Sequence, residues 1–294
     1  MKENKLKYWI EAARPKTLLV SMAPVIMSVA LVSKYVKINC LPAIICLIFA
    51  VMAQIVSNFV NDYSDGVNGS DKNRLGPDRM VASGKISAKK MLRGTIFMVV
   101  LSFILGCTLM YWGGWILLPF GIAILLCALA YSAGPFPLSR HALGDVAVVL
   151  FYGVAPVVLT FYIQTGFINY NIIVAGIAAG IVADNLLIVN NYRDAESDYE
   201  NGKKTTVTVF GKKFMKSIYF CNPLIAIILG YIFLNKLVNP IIWSIAIIPF
   251  VIYSTSLNIQ FSKANGLSFN KLIGKSSFEA VLFALTVVVV IIFK

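Results

Sequence analysis

The chain has 294 residues, 59% of them hydrophobic and only 13% charged, against about 25% charged in an ordinary soluble domain. Apolar runs of roughly 17 to 25 residues, long enough to cross a bilayer as helices, recur along almost the whole length and exclude a large soluble domain. The net charge of +13 does not indicate nucleic acid, because the basic residues fall between the apolar runs without an aromatic-interleaved basic surface.

Lys2, Lys5, Lys7, Arg14 and Lys16 precede the first apolar run. No small-residue cleavage site ends that run, so a retained first helix is expected rather than a removed leader. Residues 6–16 predict a short interfacial helix carrying Tyr8 and Trp9 at headgroup level. Spans are expected over 17–36, bent at Pro24, and over 41–61. The polar segment 62–92 is read as a partly helical cap loop; Gly66, Gly69, Gly76 and Gly84 give it tight backbone geometry.

Spans over 93–111 and 115–131 are joined by the charge-free turn Trp112-Gly113-Gly114-Trp115. Pro135 and Pro137 break the connection to a fifth span over 146–163, which Asp145 precedes. The sixth span, 171–191, contains Asp184 and leads into a second cap loop, 192–213. Gly202-Lys203-Lys204-Thr205 in that loop lacks the glycine spacing of a nucleotide-binding phosphate loop. Spans over 214–234, 240–256 and 277–293 complete the chain. The expected fold is a single all-α integral membrane domain over 1–294, nine transmembrane helices around a central cavity.

With the N-terminus cytoplasmic, only Lys34, Lys37, Lys236 and Lys294 of the 26 Lys and Arg residues face outward. This is the asymmetry that orients membrane proteins. It places two acidic clusters on one, cytoplasmic, side. In the first, Asn58, Asp62 and Asp65 are spaced i, i+4, i+7 with Asn61 beside them. In the second, Asn190, Asp194 and Asp198 are spaced i, i+4, i+8 with Asn191 beside them. Each set shares one helix face. Bunched carboxylates repel unless a cation separates them, and hard oxygen ligands suit magnesium, which bridges carboxylates to substrate phosphates. The plainer reading is two wet helix ends, where Asn and Asp are common caps.

Arg79, Lys85, Arg193, Lys203 and Lys204 add cations suited to the remaining oxygens of a diphosphate. Enclosing apolar helices suit a ligand with an ionic head and a lipid tail. Loss of diphosphate from an allylic prenyl diphosphate joins these features. The residues also carry a resemblance. Asn61-Asp62-Tyr63-Ser64-Asp65 with Asp71 and Asp78-Arg79, and Asn190-Asn191-Tyr192-Arg193-Asp194 with Asp198 and Gly202-Lys203-Lys204-Thr205, resemble the two signatures of the intramembrane aromatic prenyltransferase superfamily. Ala13-Arg14-Pro15-Lys16, Gly134-Pro135-Phe136-Pro137 and Gly144-Asp145 are most similar to the branch that prenylates 1,4-dihydroxy-2-naphthoate. Asp145 stands where Glu is more usual in that branch.

The resemblance implies a multi-pass bacterial cell-membrane enzyme with a cytoplasmic active-site mouth. It implies magnesium-dependent transfer from polyprenyl diphosphate to 1,4-dihydroxy-2-naphthoate, releasing diphosphate and carbon dioxide and forming demethylmenaquinone. Asn58, Asp62, Asp65, Asn190, Asp194 and Asp198 then hold the magnesium; Asp62, Asp65, Asp194, Asp198 and Asp145 are the catalytic candidates. Another acceptor such as 4-hydroxybenzoate, and a secondary transporter built on an internal duplication, remain the alternatives. Asp184 is a functional candidate because intramembrane acids are expensive. Tyr63, Tyr131, Tyr152, Tyr192 and Arg14 are candidate contacts, while His141, Glu279 and the five cysteines read as structural.

Overall fold

The computed structural model describes residues 5–69, 76–235 and 237–293. Asp71, with Lys72 and Arg74, lies outside the described residues. All regular structure among the described residues is helical, apart from an isolated bridge between His141 and Lys204.

The interfacial helix α1 (Lys5–Ala13) meets α2 (Pro15–Val32) at Arg14, whose φ of 53° turns the chain, and Pro15 opens the new helix without losing a hydrogen bond. Helix α3 (Cys40–Asn68) is capped by the Asn39 side chain and ended by Gly69 in the left-handed region at φ 71°. It runs seven residues past the expected end at Asn61, so the first acidic cluster lies on the helix and not in the loop. Helices α4 (Ala88–Thr108) and α5 (Met110–Gly113) return, and α6 (Leu117–Ala130) follows.

After a 3-10 turn at Leu138–Arg140 come α7 (Gly144–Val149), a π-helical segment (Leu150–Val154) and α8 (Ala155–Thr165), continuous as one apolar rod. Helix α9 (Tyr170–Glu200) extends nine residues beyond the expected end at Asn191, again carrying the acidic cluster on the helix. The short α10 (Thr206–Phe210) begins with a capping box from Thr205 and Thr208. Helix α11 (Lys212–Leu234) precedes α12 (Pro240–Ala246) and α13 (Ile248–Lys263), and α14 (Phe269–Ile292) closes the described chain. The last span starts eight residues before the expected Ser277, which puts Glu279 well inside the helix.

The protein is thus an all-α, multi-pass integral membrane protein. Among the described residues seven helices are long and apolar enough to cross a membrane. The α12–α13 pair, bent by 40°, makes an eighth if it is one span. Helix α6, with 14 residues, reaches only about 21 Å at 1.5 Å per residue, short of the roughly 30 Å hydrocarbon core. The count of nine therefore is not met by length.

Helix α9 is the axis of the bundle, 72% of its apolar window being buried. It packs against α11, α14, α7 and the π segment, while α2 lies along α14 and α3 along α4. The approach to the π segment is close enough to require glycine: a Cβ on Gly153 would sit 2.4 Å from Gly176 O and from Gly180 Cα. Inside the bundle, Asn222 donates to Asn185 Oδ1 at 3.0 Å and Asn185 donates to Glu279 Oε2 at 3.2 Å, tying α11, α9 and α14 together.

Candidate active site

A cavity of about 620 Å³ opens between the outgoing ends of α3 and α9. Asn58, Asn61, Asp62 and Asp65 line one wall, and Asn190, Asn191, Arg193, Asp194 and Asp198 the other; Arg79, Lys85, Lys203 and Asp145 also line it. Two rows of oxygen-bearing side chains, 129 residues apart in sequence, therefore face one space.

Each row is held rigidly. Asp62 accepts backbone N–H groups of Met80 at 3.0 Å and Val81 at 2.8 Å, so its carboxylate fixes the turn that follows Arg79. Arg79 donates to Asn61 Oδ1 at 3.1 Å and stands 3.7 Å from Asp65, which Arg140 approaches at 3.4 Å from the other side. Asn58 donates to the Ala13 carbonyl at 2.9 Å, anchoring the α1–α2 corner. On α9 the Arg193 guanidinium forks onto both Asp194 oxygens at 2.7 and 2.6 Å and also donates to Asn190 and, at 2.8 Å, to Asn270 on α14. Such bidentate pairs are strong and geometrically fixed. Lys203 lies 3.3 Å from Asp198. Asp78, at the rim, accepts from Lys85 at 3.0 Å, and that hydrogen bond raises the lysine pKa above its ordinary value.

Among the described residues no three His, Cys, Asp or Glu side chains converge as a ready-made metal cage. The donor set nonetheless fits a magnesium ion that shares its sphere with phosphate oxygens, because such ions take one or two carboxylates and leave the rest to substrate and water. A carboxylate has about four lone-pair sites, so the hydrogen bonds to Asp62 and Asp65 leave acceptor capacity. Asn58, Asn61, Asp62, Asp65, Asn190, Asn191, Asp194 and Asp198 offer hard oxygen atoms to this one cavity.

Deeper in the bundle the polar cavity adjoins a second, apolar one of about 120 Å³. Gln54, Ser57, Tyr131, Val148 and Tyr152 line both and form the neck.

Some expected residues are elsewhere. Lys204 does not line the cavity; its carbonyl accepts from Ala142 N at 2.7 Å and ties the second cap to the 132–142 connection. Asp184 is buried on α9 outside the lining. Tyr192 packs on Phe261 and Phe269, Tyr63 belongs to the cluster under α1, and His141 stacks on Phe136 at 3.7 Å. The sequence reading missed Thr206, which donates to Asp145 at 2.7 Å, along with Arg140 and Asn270. It also passed over Gln54 and Ser57, although the same helical spacing continues the Asn58–Asp65 face one turn inward to them.

A model of the UbiA prenyltransferase family matches residues 21–269. The 1,4-dihydroxy-2-naphthoate octaprenyltransferase of Haemophilus influenzae is 37% identical over 230 residues, covering 75% of this chain and 74% of that protein. The Escherichia coli protein of the same name is 36% identical over 227 residues, covering 74% and 73%. Among solved structures, a UbiA homolog from Archaeoglobus fulgidus bound to GPP and Mg2+ superposes with a TM-score of 0.68 at 19% identity, over 97% of this chain and 99% of that one. This last likeness is one of fold. The chain belongs to the UbiA prenyltransferase family and is a membrane-bound prenyltransferase.

Proposed function

We propose that the protein transfers a polyprenyl group from polyprenyl diphosphate to 1,4-dihydroxy-2-naphthoate. The observation that carries the reading is the pair of adjoining cavities, ionic between α3 and α9 and apolar beyond the shared neck, which suit a diphosphate joined to a hydrocarbon tail. The acceptor is supported by the relatives from Haemophilus influenzae and Escherichia coli, whose names specify that naphthoate.

Asn58, Asp62 and Asp65 on one wall and Asn190, Asp194 and Asp198 on the other would hold magnesium. When bound, the metal supplies Lewis-acid stabilisation of the departing diphosphate. Arg79, Lys85 and Lys203 orient that group and neutralise its outer oxygens, while Arg193, whose head group is committed to Asp194, Asn190 and Asn270, holds the α9 row in place. The allylic C–O bond breaks with its electron pair leaving on diphosphate, and the apolar wall beyond the neck keeps water from the cation. The ionised naphthoate ring forms the new C–C bond. Its carboxylate then departs as carbon dioxide, returning an electron pair to the ring and giving demethylmenaquinone in reduced form. Asp145, which accepts from Thr206, lines the same cavity and is the carboxylate we assign to the acceptor.

The positive-inside distribution supports a cytoplasmic N-terminus, a cytoplasmic mouth and an odd number of spans, nine when short α6 and the bent α12–α13 pair are counted, and the bacterial relatives support a bacterial cell membrane. Purified protein given magnesium, a prenyl diphosphate and either dihydroxynaphthoate or 4-hydroxybenzoate tests the reaction. Equal release of diphosphate and carbon dioxide with the naphthoate is expected. Diphosphate release with 4-hydroxybenzoate alone would transfer the assignment to a different acceptor, and release with neither would remove it.

A further inference from the structure

Resting on the proposed reaction, in which the apolar cavity takes the donor's hydrocarbon tail, we infer that Gly121 on α6 sets how long a chain that cavity admits. On α3, Cys46, Phe49, Ala50, Ala53, Gln54 and Ser57 form one continuous face leading inward from the acidic row. Ser57 lies eleven positions after Cys46, so this wall is about 17 Å long at 1.5 Å per residue. The chemistry changes along it in the order of the donor itself: carboxylates and cations, then an amide and hydroxyls, then methyl and methylene groups.

The α6 face Gly121, Ile124, Cys127 and Ala128, with Tyr131 just past the helix end, lines the same cavity at helical intervals. Part of the lining is densely packed. Leu109, Leu117, Ile163, Val25 and Cys46 pack as one buried cluster. A Cβ on Gly113 would meet Leu117 Cδ1 at 2.5 Å, so this part is tight. Gly121 differs from it: a Cβ there meets no atom within 4 Å, although the residue lines the cavity. Its φ is not in the left-handed region, so the backbone does not require glycine. What the missing side chain leaves is room in the tail path. A bulky substituent at 121 has space to fill without displacing its neighbours.

The test uses purified Gly121→Phe, with Ile122→Phe, on the adjacent exposed position, as the control for an added ring on the same helix. Diphosphate release is followed with dimethylallyl and geranylgeranyl diphosphate at fixed dihydroxynaphthoate. For Gly121→Phe, kcat/KM for the long donor is expected to fall about tenfold or more relative to the short donor, the scale of discrimination that a filled apolar pocket gives. The Ile122→Phe profile is expected to match the wild type. Equal loss on both donors, loss on neither, or a rise confined to the acceptor KM would overturn the inference while leaving the prenyl-transfer reading in place. A wild-type protein that releases diphosphate from neither donor overturns that reading and the inference with it.

Discussion

Asp65 and Asp194 occupy matching places in the two rows but differ in what holds them. Asp65 is approached by Arg79 at 3.7 Å and Arg140 at 3.4 Å, so an amide at this position keeps its shape and loses mainly charge. Asp194 neutralises the fully buried Arg193 head group, and removing one partner of a buried pair costs roughly 3–5 kcal/mol. Asp65→Asn is therefore expected to lower turnover about 100-fold or more with a smaller loss of thermal stability than Asp194→Asn, whose pair is the tighter one at 2.6 Å against 3.7 Å. Diphosphate release and a melting curve on each purified variant separate the cases. Near-normal turnover in both would remove the two aspartates from the chemistry. These residues were legible because their spacing is a property of one helix. Thr206 beside Asp145 was not, since only the tertiary fold brings positions 61 residues apart into contact.

At the scale of elements, the sequence reading placed the helices and misjudged their ends. It stopped α3 and α9 where hydropathy falls, although a helix continues through polar residues until its backbone is stopped. Gly69 at φ 71° and Gly202 at φ 64° mark those stops and were visible as C-terminal glycine signals. The 40° bend between α12 and α13 coincides with Pro249, which opens α13 and was passed over inside an unbroken apolar run. The packing of α9 on the π segment had only a faint signal, small residues at Gly153, Gly176 and Gly180. A Cβ on Gly180 would lie 2.5 Å from Val149 O, against backbone that cannot move aside. Gly180→Leu is expected to destabilise the bundle by about 3 kcal/mol or to prevent folding. Its melting temperature and detergent-extracted yield measure this; an unchanged melt would mean that the two helices separate readily.

For the whole molecule, composition established the class and charge asymmetry proposed the orientation. The cavity itself was not readable, because its volume depends on how α3, α6, α7, α8 and α9 lean together. Orientation has a direct check. In a cysteine-free background, a single cysteine at Lys37 is expected to react with a membrane-impermeant thiol reagent from outside intact cells, and one at Lys85 only after lysis. The reverse pattern would invert the molecule and turn the site mouth outward.

The π-helical stretch Leu150–Val154 has a consequence for how length changes in this chain would be tolerated. A π turn is an ordinary helix carrying one surplus residue, so a one-residue deletion there would leave a regular helix with no broken loop to betray it. The wide turn absorbs that residue, so the helix beyond it would keep its facing: Ala155, Pro156, Leu159 and Thr160 would still line the apolar cavity, and Val157 and Phe161 would keep their seats in the core. What would change is the turn itself, where Gly153 meets Gly176 and Gly180 of α9. The rod can lose one residue here and still hold Asp145 at the ionic cavity and Leu159 at the hydrocarbon one.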